Sequence, residues 1–305
     1  MDKIGLRISP RNLCLPRPRR ILFLLSLYAF VSGAADAQEK SFLWQVRSNK
    51  SHIYILGSIH FWKKDDYPLK NAIEKAFAGS QKLVFEIDLK NTDAATVQRV
   101  TLEKGVDRDG TTLQQNISLE TYSLAEKRAK ELGIDIRALS PLKPWLVALT
   151  LTSLKLQKLG FSPNSGVDRY LAQRAIESGK ATAGLETAAF QIGLLDQLSK
   201  PDQEAMLRQA LTEMDLLDRN LGRIVHSWAS GDVQSLEETL LSGMRGYPEV
   251  HQKIIVDRNQ RWLPQIEKML EESETTLVVV GAAHLVGKQG VIELLKARGY
   301  TVEQL

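Results

Sequence analysis

Apolar runs of strand length lie near opposite ends of this chain, and that placement restricts the fold more than any other feature. Ile53-Tyr54-Ile55-Leu56 and Leu83-Val84-Phe85 come early, whereas Leu277-Val278-Val279-Val280 comes close to the C-terminus. Short continuous apolar runs suit strands covered on both faces. Residues 92–275, between them, carry mainly helical spacing, with apolar residues at three- and four-residue steps near 119–132, 144–159, 167–178, 202–229, 233–242 and 249–272. The predicted fold class is therefore α/β, with a mixed central sheet assembled from both ends of the chain and a large helical insertion between them.

Local signals fill in this outline. Phe42–Val46 and His52–Leu56 flank the polar turn Ser48-Asn49-Lys50-Ser51 and read as a hairpin. A helix is predicted over Leu69–Ala78, with Leu69, Ile73, Ala76 and Phe77 on one face. Short strands are predicted at Asp135–Leu139, before the Ser140-Pro141 breaker, and at Ala181–Leu185. A helix near Gln289–Ala297 and a strand at Tyr300–Gln304 close the pattern. No tandem repeat or Pro-rich or Gly/Ser-rich linker divides residues 38–305, so they read as one domain.

The first 37 residues differ in kind. Arg17, Arg19 and Arg20 precede the apolar run Ile21–Val31, and Ala35-Asp36-Ala37 supplies small residues spaced for a signal peptidase. This is the pattern of a secretory signal peptide, with cleavage expected after Ala37. Its apolar run falls short of the ~20 residues needed to span a bilayer, so no integral span is expected after cleavage and the location is periplasmic or secreted. Removing its six Lys/Arg and two Asp/Glu from totals of 40 and 36 leaves 34 of each, a formal charge of zero. Nucleic acid is thereby excluded as an expected partner. The one cysteine, Cys14, leaves with the signal, so a metal site must use imidazole and oxygen ligands.

Two segments repeat one context of strand, glycine, two small or apolar residues, then histidine: Gly57-Ser58-Ile59-His60 and Gly281-Ala282-Ala283-His284. Ligand sites in open α/β sheets lie beyond the carboxyl ends of strands, where glycine permits a turn or a close approach. A third apolar strand ends in Glu86, and Asp88 lies two residues on. If the three strands are parallel neighbours, His60, His284 and Glu86 share one rim. Such a set suits a catalytic divalent metal, and it equally suits metal-free acid/base catalysis. Of the other histidines, His226 and His251 sit in helical patterns. Trp62, two residues beyond His60, is the one tryptophan expected to touch substrate.

These segments resemble the TraB/GumN family, which includes the Tiki proteases that trim the amino-terminal region of Wnt proteins. The resemblance runs through Leu43-Trp44-Gln45-Val46, Tyr54–His60, Tyr67-Pro68-Leu69, Val84–Asp88, Lys143-Pro144-Trp145 and Gly166-Val167-Asp168. It continues through Gly184-Leu185-Glu186-Thr187 with Gln191, Trp228 with Gly231-Asp232, Asp257-Arg258-Asn259, and Val280–Gly287 with Gly290. The resemblance implies a fold similar to the erythromycin esterase/ChaN-like group and a metal-dependent peptidase centre at His60, Glu86 and His284. It further draws in Glu186, Arg258 and Asn259. On this reading a divalent cation (Mn, Co or Zn) acidifies a water that attacks a peptide carbonyl of a peptide or protein substrate. Glu186 is a second candidate ligand or general base, and Arg258 with Asn259 would stabilise the oxyanion. The rival readings are a metal-free esterase-like hydrolase and a non-catalytic haem- or peptide-binding protein.

Overall fold

The structure, a computed structural model, describes residues 40–244 and 246–305. The expected signal peptide at 1–37, with Cys14, lies outside the described residues. Six strands form one mixed sheet: β1 (Leu43–Arg47), β2 (His52–Ser58), β3 (Lys82–Ile87), β4 (Ala181–Glu186), β5 (Thr276–Gly281) and β6 (Thr301–Gln304). Their order is β4-β3-β5-β2-β1-β6. β1 and β2 form the expected antiparallel hairpin, with Leu43 opposite Leu56 and Arg47 opposite His52. β5 runs parallel to both β2 and β3, and β4 is parallel to β3.

The strand from the far end of the chain is thus threaded between two strands from the near end. Every residue of β5 is buried, which explains its lack of polar alternation, and each fully buried Val or Leu contributes roughly 1.5–3 kcal/mol. Helices Asn71–Gly79, Val167–Glu177, Asp257–Met269 and Val291–Ala297 supply apolar side chains to the core around the sheet. The helical insertion has its own apolar cluster, built on Leu113, Ala125, Val147, Leu151, Leu207 and Leu211. Among the described residues no helix is long and apolar enough to cross a membrane.

One local expectation is corrected and two are refined. Asp135–Leu139 is no strand: Ile136–Leu139 is a 3₁₀ turn, because the Asp135 carboxylate accepts the backbone N–H of Arg137 and caps it. The helical spacing near 202–229 is carried by two helices, Lys200–Glu213 and Leu217–Ser230. Arg128 takes the carbonyl of Leu211 at 3.1 Å and grips Asp215 at 2.6 Å and 2.8 Å, satisfying the first helix's end from outside. The pattern over 249–272 also contains a π-helical turn, Gln252–Val256, before Asp257–Met269.

Candidate active site

Parallel pairing of β2, β5 and β3 aligns their carboxyl ends. Ser58 lies beside Gly281, and Phe85 beside Val279, so the residues that follow emerge at one rim. Space requires the glycine at 57 and is tight at 281. A side chain on Gly57 would collide with the Phe42 ring, and the Gly57 carbonyl accepts the Trp228 indole N–H at 2.6 Å. Gly281 has φ −54° and ψ 137°, open to any residue. A methyl there, however, would stand 3.1 Å from Glu86 Oε1, 3.4 Å from His60 Nε2 and 3.6 Å from His284 Cδ2. The two imidazoles and the carboxylate named from sequence therefore converge on the hollow that this missing side chain leaves open.

Hydrogen bonding decides which nitrogen each ring presents. Asn259 Nδ2 donates to the carbonyls of His284 (3.3 Å) and Gln289 (2.8 Å), which turns Oδ1 toward His284 Nδ1 at 2.7 Å. Nδ1 must then carry the proton and Nε2 the lone pair. Arg258 Nη1, a donor only, meets that Nε2 at 3.0 Å and confirms the neutral ring. Desolvation, with the nearby positive charges of Arg258 and His60, holds the His284 pKa down at about 3 against the pull of Glu86. His60 is held similarly from its far side, its Nδ1 lying 3.2 Å from Asp168 Oδ2. Desolvation opposes a charge on this ring, but Asp168, with Glu86 behind it, prevails and raises its pKa to about 9.

Arg258 joins the carboxylates. Its Nη2 bonds Glu86 and, at 2.5 Å, Glu186; Nε bonds Glu186 at 2.9 Å; Nη1 donates to the Ile254 carbonyl at 3.0 Å as well as to His284. All five donors of the guanidinium are used. Gln191 bridges the same carboxylates, donating to Glu86 Oε2 at 2.6 Å and Glu186 Oε1 at 2.9 Å, and the Trp262 indole N–H reaches Glu186 Oε2 at 3.1 Å. Gly281 N–H donates to Glu86 Oε1 at 2.7 Å. Burial alone would raise the Glu86 pKa. The surrounding His284, Arg258 and His60, with the Gly281 N–H, outweigh it and hold the carboxyl at about 2.

The geometry separates the expected residues. His60, Glu86, His284 and Arg258 line one cavity of about 350 Å³. Glu186 faces Arg258, Gln191 and Trp262, and the helix after it is capped by Thr187. Asn259 is wholly buried with both amide ends engaged, so its N–H groups hold backbone rather than substrate. Trp62 is only 3% exposed and packs on Trp228 with ring centroids 5.0 Å apart, which removes it from the substrate face. Asp88 turns to Thr182 and Asn91. Asp168 and Gln191 received no role from sequence; both lay inside quoted patterns, but their partners are distant in the chain. Ser58, whose buried hydroxyl has no hydrogen-bond partner among the described residues, also lines the cavity.

The Nε2 of His60, which sheds its proton only above about pH 9, a Glu86 carboxylate oxygen and the His284 ring lie around one hollow, each imidazole held from behind by an oxygen acceptor, and these ligand types suit a divalent ion. Among the described residues no three His, Cys, Asp or Glu side chains close around a point as ligands do. Arg258 accounts for this, since its guanidinium bonds Glu86 and caps His284 Nε2. The residues suit a cation in chemical type, and Arg258, bonded to Glu86 and to His284 Nε2, is the internal charge it must compete with.

The TraB/PrgY/gumN family matches residues 42–304. The uncharacterized protein YbaP of Escherichia coli (strain K12) is 27% identical, over 80% of this chain and 88% of the relative. Metalloprotease TIKI2 of Danio rerio is 23% identical, over 92% of this chain and 67% of the relative. No solved structure matches the chain significantly.

Proposed function

The chain belongs to the TraB/PrgY/gumN family, and we propose that it is a peptidase-like hydrolase that uses a divalent cation (Mn, Co or Zn) and acts outside the cytoplasm. The observation that carries this reading is the convergence of His60 Nε2, Glu86 Oε1 and the His284 ring on the hollow beside Gly281. Similarity to metalloproteases named TIKI supports the reaction class and a peptide or protein substrate. The erythromycin esterase/ChaN-like fold, and cleavage of residues 1–37 to leave a periplasmic or secreted protein, are part of the same proposal.

His60, Glu86 and His284 would hold the cation, which supplies a nucleophilic water at neutral pH and polarises the scissile carbonyl. Asp168 and Asn259 keep both Nδ1–H groups engaged, which leaves Nε2 of His60 toward the hollow and Nε2 of His284 toward Arg258. Arg258 is a fixed positive charge at the cavity wall and stabilises negative charge developing on the substrate oxygen. Glu186, Gln191 and Trp262 are positioning residues that hold that guanidinium and Glu86 in place.

A second reading is favoured by the Arg258 contact to His284. In it no metal is used, and His60, oriented by Asp168, takes the proton of the attacking water once it has lost its own, near pH 9. Purified protein stripped with a chelator and then reloaded with Mn²⁺, Co²⁺ or Zn²⁺ separates the two. The proposal expects peptide cleavage to vanish on stripping and return on loading; undiminished cleavage by the stripped protein leaves only the His60–Asp168 mechanism.

A further inference from the structure

The cavity at the centre opens on one side only to apolar side chains, among them Phe61, Leu156, Leu221 and Ile224. Two further wall residues, Leu240 and Ile254, are shared with an adjoining chamber of about 320 Å³. That chamber is lined chiefly by Leu195, Met206, Met214, Met244, Tyr247 and Val250. Its polar members Gln209 and Glu213 bond each other at 2.7 Å. Two irregularities make the space. The break between helices Lys200–Glu213 and Leu217–Ser230 falls at its wall, where Met214 and Leu217 stand. The π-helical turn Gln252–Val256 places Ile254 between the two cavities while the Ile254 carbonyl accepts from Arg258.

We propose that this chamber is a specificity pocket that seats a bulky apolar side chain of the peptide substrate next to the scissile bond. The inference rests on the reading of the neighbouring centre as a peptide-processing site. Proximity is the first argument, because Leu240 and Ile254 line both spaces and the chamber therefore adjoins the cavity that holds His60 and Arg258. Chemistry is the second, since among the lining residues the one charged group is the carboxylate of Glu213, so an anionic side chain finds no partner to replace its water. The three methionines Met206, Met214 and Met244 supply unbranched, adaptable walls, so the pocket accepts leucine, methionine and phenylalanine alike and rejects aspartate and asparagine. Burying such a side chain favours cleavage by about tenfold to a hundredfold over alanine.

The test uses the full chain loaded with Mn²⁺ and short peptides identical except for Leu, Met, Phe, Ala, Asn or Asp at one position. Cleavage is scored by mass spectrometry, and binding of the same labelled peptides to Glu86→Gln by fluorescence anisotropy. The expected result is at least about a tenfold preference for Leu, Met and Phe over Asn and Asp, reduced toward unity in Met244→Glu and in the pocket-filling Ala210→Leu. The second variant stands in if the first does not fold. Cleavage that ignores the varied residue overturns the pocket, as does binding with no apolar ranking. Binding ranked Leu over Asn, with no product under any metal, keeps the pocket and removes the hydrolase reading.

Discussion

Adding one methyl group at Gly281 separates the site from the fold. The backbone there has φ −54° and ψ 137°, a conformation alanine adopts freely, so Gly281→Ala stiffens the unfolded chain and gains about 0.4–1 kcal/mol. The new carbon meets Glu86 Oε1 at 3.1 Å and His60 Nε2 at 3.4 Å. Relieving those contacts costs about 1–3 kcal/mol on the scale of overpacked cores. The net cost is about 0–2.6 kcal/mol, and at ~2–4 °C per kcal/mol in a chain of this size the melting temperature falls by no more than about 10 °C. Function responds far more strongly, because the methyl takes the space onto which three proposed ligands open. Mn²⁺ affinity by titration calorimetry is expected to fall by at least tenfold to a hundredfold, as for disturbed ligand shells elsewhere, with melting followed by scanning calorimetry. A variant that folds and binds Mn²⁺ as tightly as the parent would refute the placement of the centre beside Gly281.

Three further outcomes are expected. Arg258→Met leaves Glu86 and Glu186 buried without their cation and lowers urea-measured stability by about 3–5 kcal/mol; Arg258→Lys does not restore it, because an ammonium cannot make the five-donor fork. In metal-free protein the His284 pKa is depressed to about 3, so below its unfolded value of about 6.5 the unfolded chain binds a proton the folded chain refuses and stability falls with pH. Glu86, at about 2, acts in the same sense through pH 4.5 and below, whereas the His60 contribution is full below pH 6.5 and lost as pH rises through about 9; urea unfolding from pH 8 to pH 4 reads the acid limb, and an unchanged slope in His284→Gln would contradict the assignment. Because His60 keeps its proton up to about 9, a cation must displace it, and Mn²⁺ affinity rises about tenfold per pH unit below that point with one proton released; calorimetry in buffers of different ionisation enthalpy counts that proton.

Local structure was legible wherever one short segment carried its own instructions. The β1–β2 hairpin follows from two apolar runs about a polar turn, and helix Leu119–Leu132 matches its apolar spacing end to end. Asp135–Leu139 misled because short apolar runs suit strand or turn alike, and the choice was made by one capping carboxylate. Helices Ala94–Gly105 and Ala188–Asp196 escaped notice. The second mattered, since it carries Gln191 to Glu86 and Glu186. The paired Gly-x-x-His segments and Glu86 marked the centre, whereas Asp168 and the positioning role of Asn259 did not, because their meaning lies in the imidazoles they touch.

By itself the amino-acid order determined most of the element types, the α/β class, and which two histidines and which carboxylate stand at strand ends. These follow from periodicity and from near neighbours along the backbone. Tertiary structure decided that β5 lies between β3 and β2, that little room is left at Gly281, that His60 Nε2, Glu86 Oε1 and the His284 ring meet around one hollow, and that a single guanidinium ties Glu86, Glu186 and His284 together. Parallel partners come from segments far apart in the chain, and strands buried on both faces carry no alternation to announce their neighbours. Strand order and proton placement are therefore set only when the whole core closes and each buried donor takes the one acceptor within its reach.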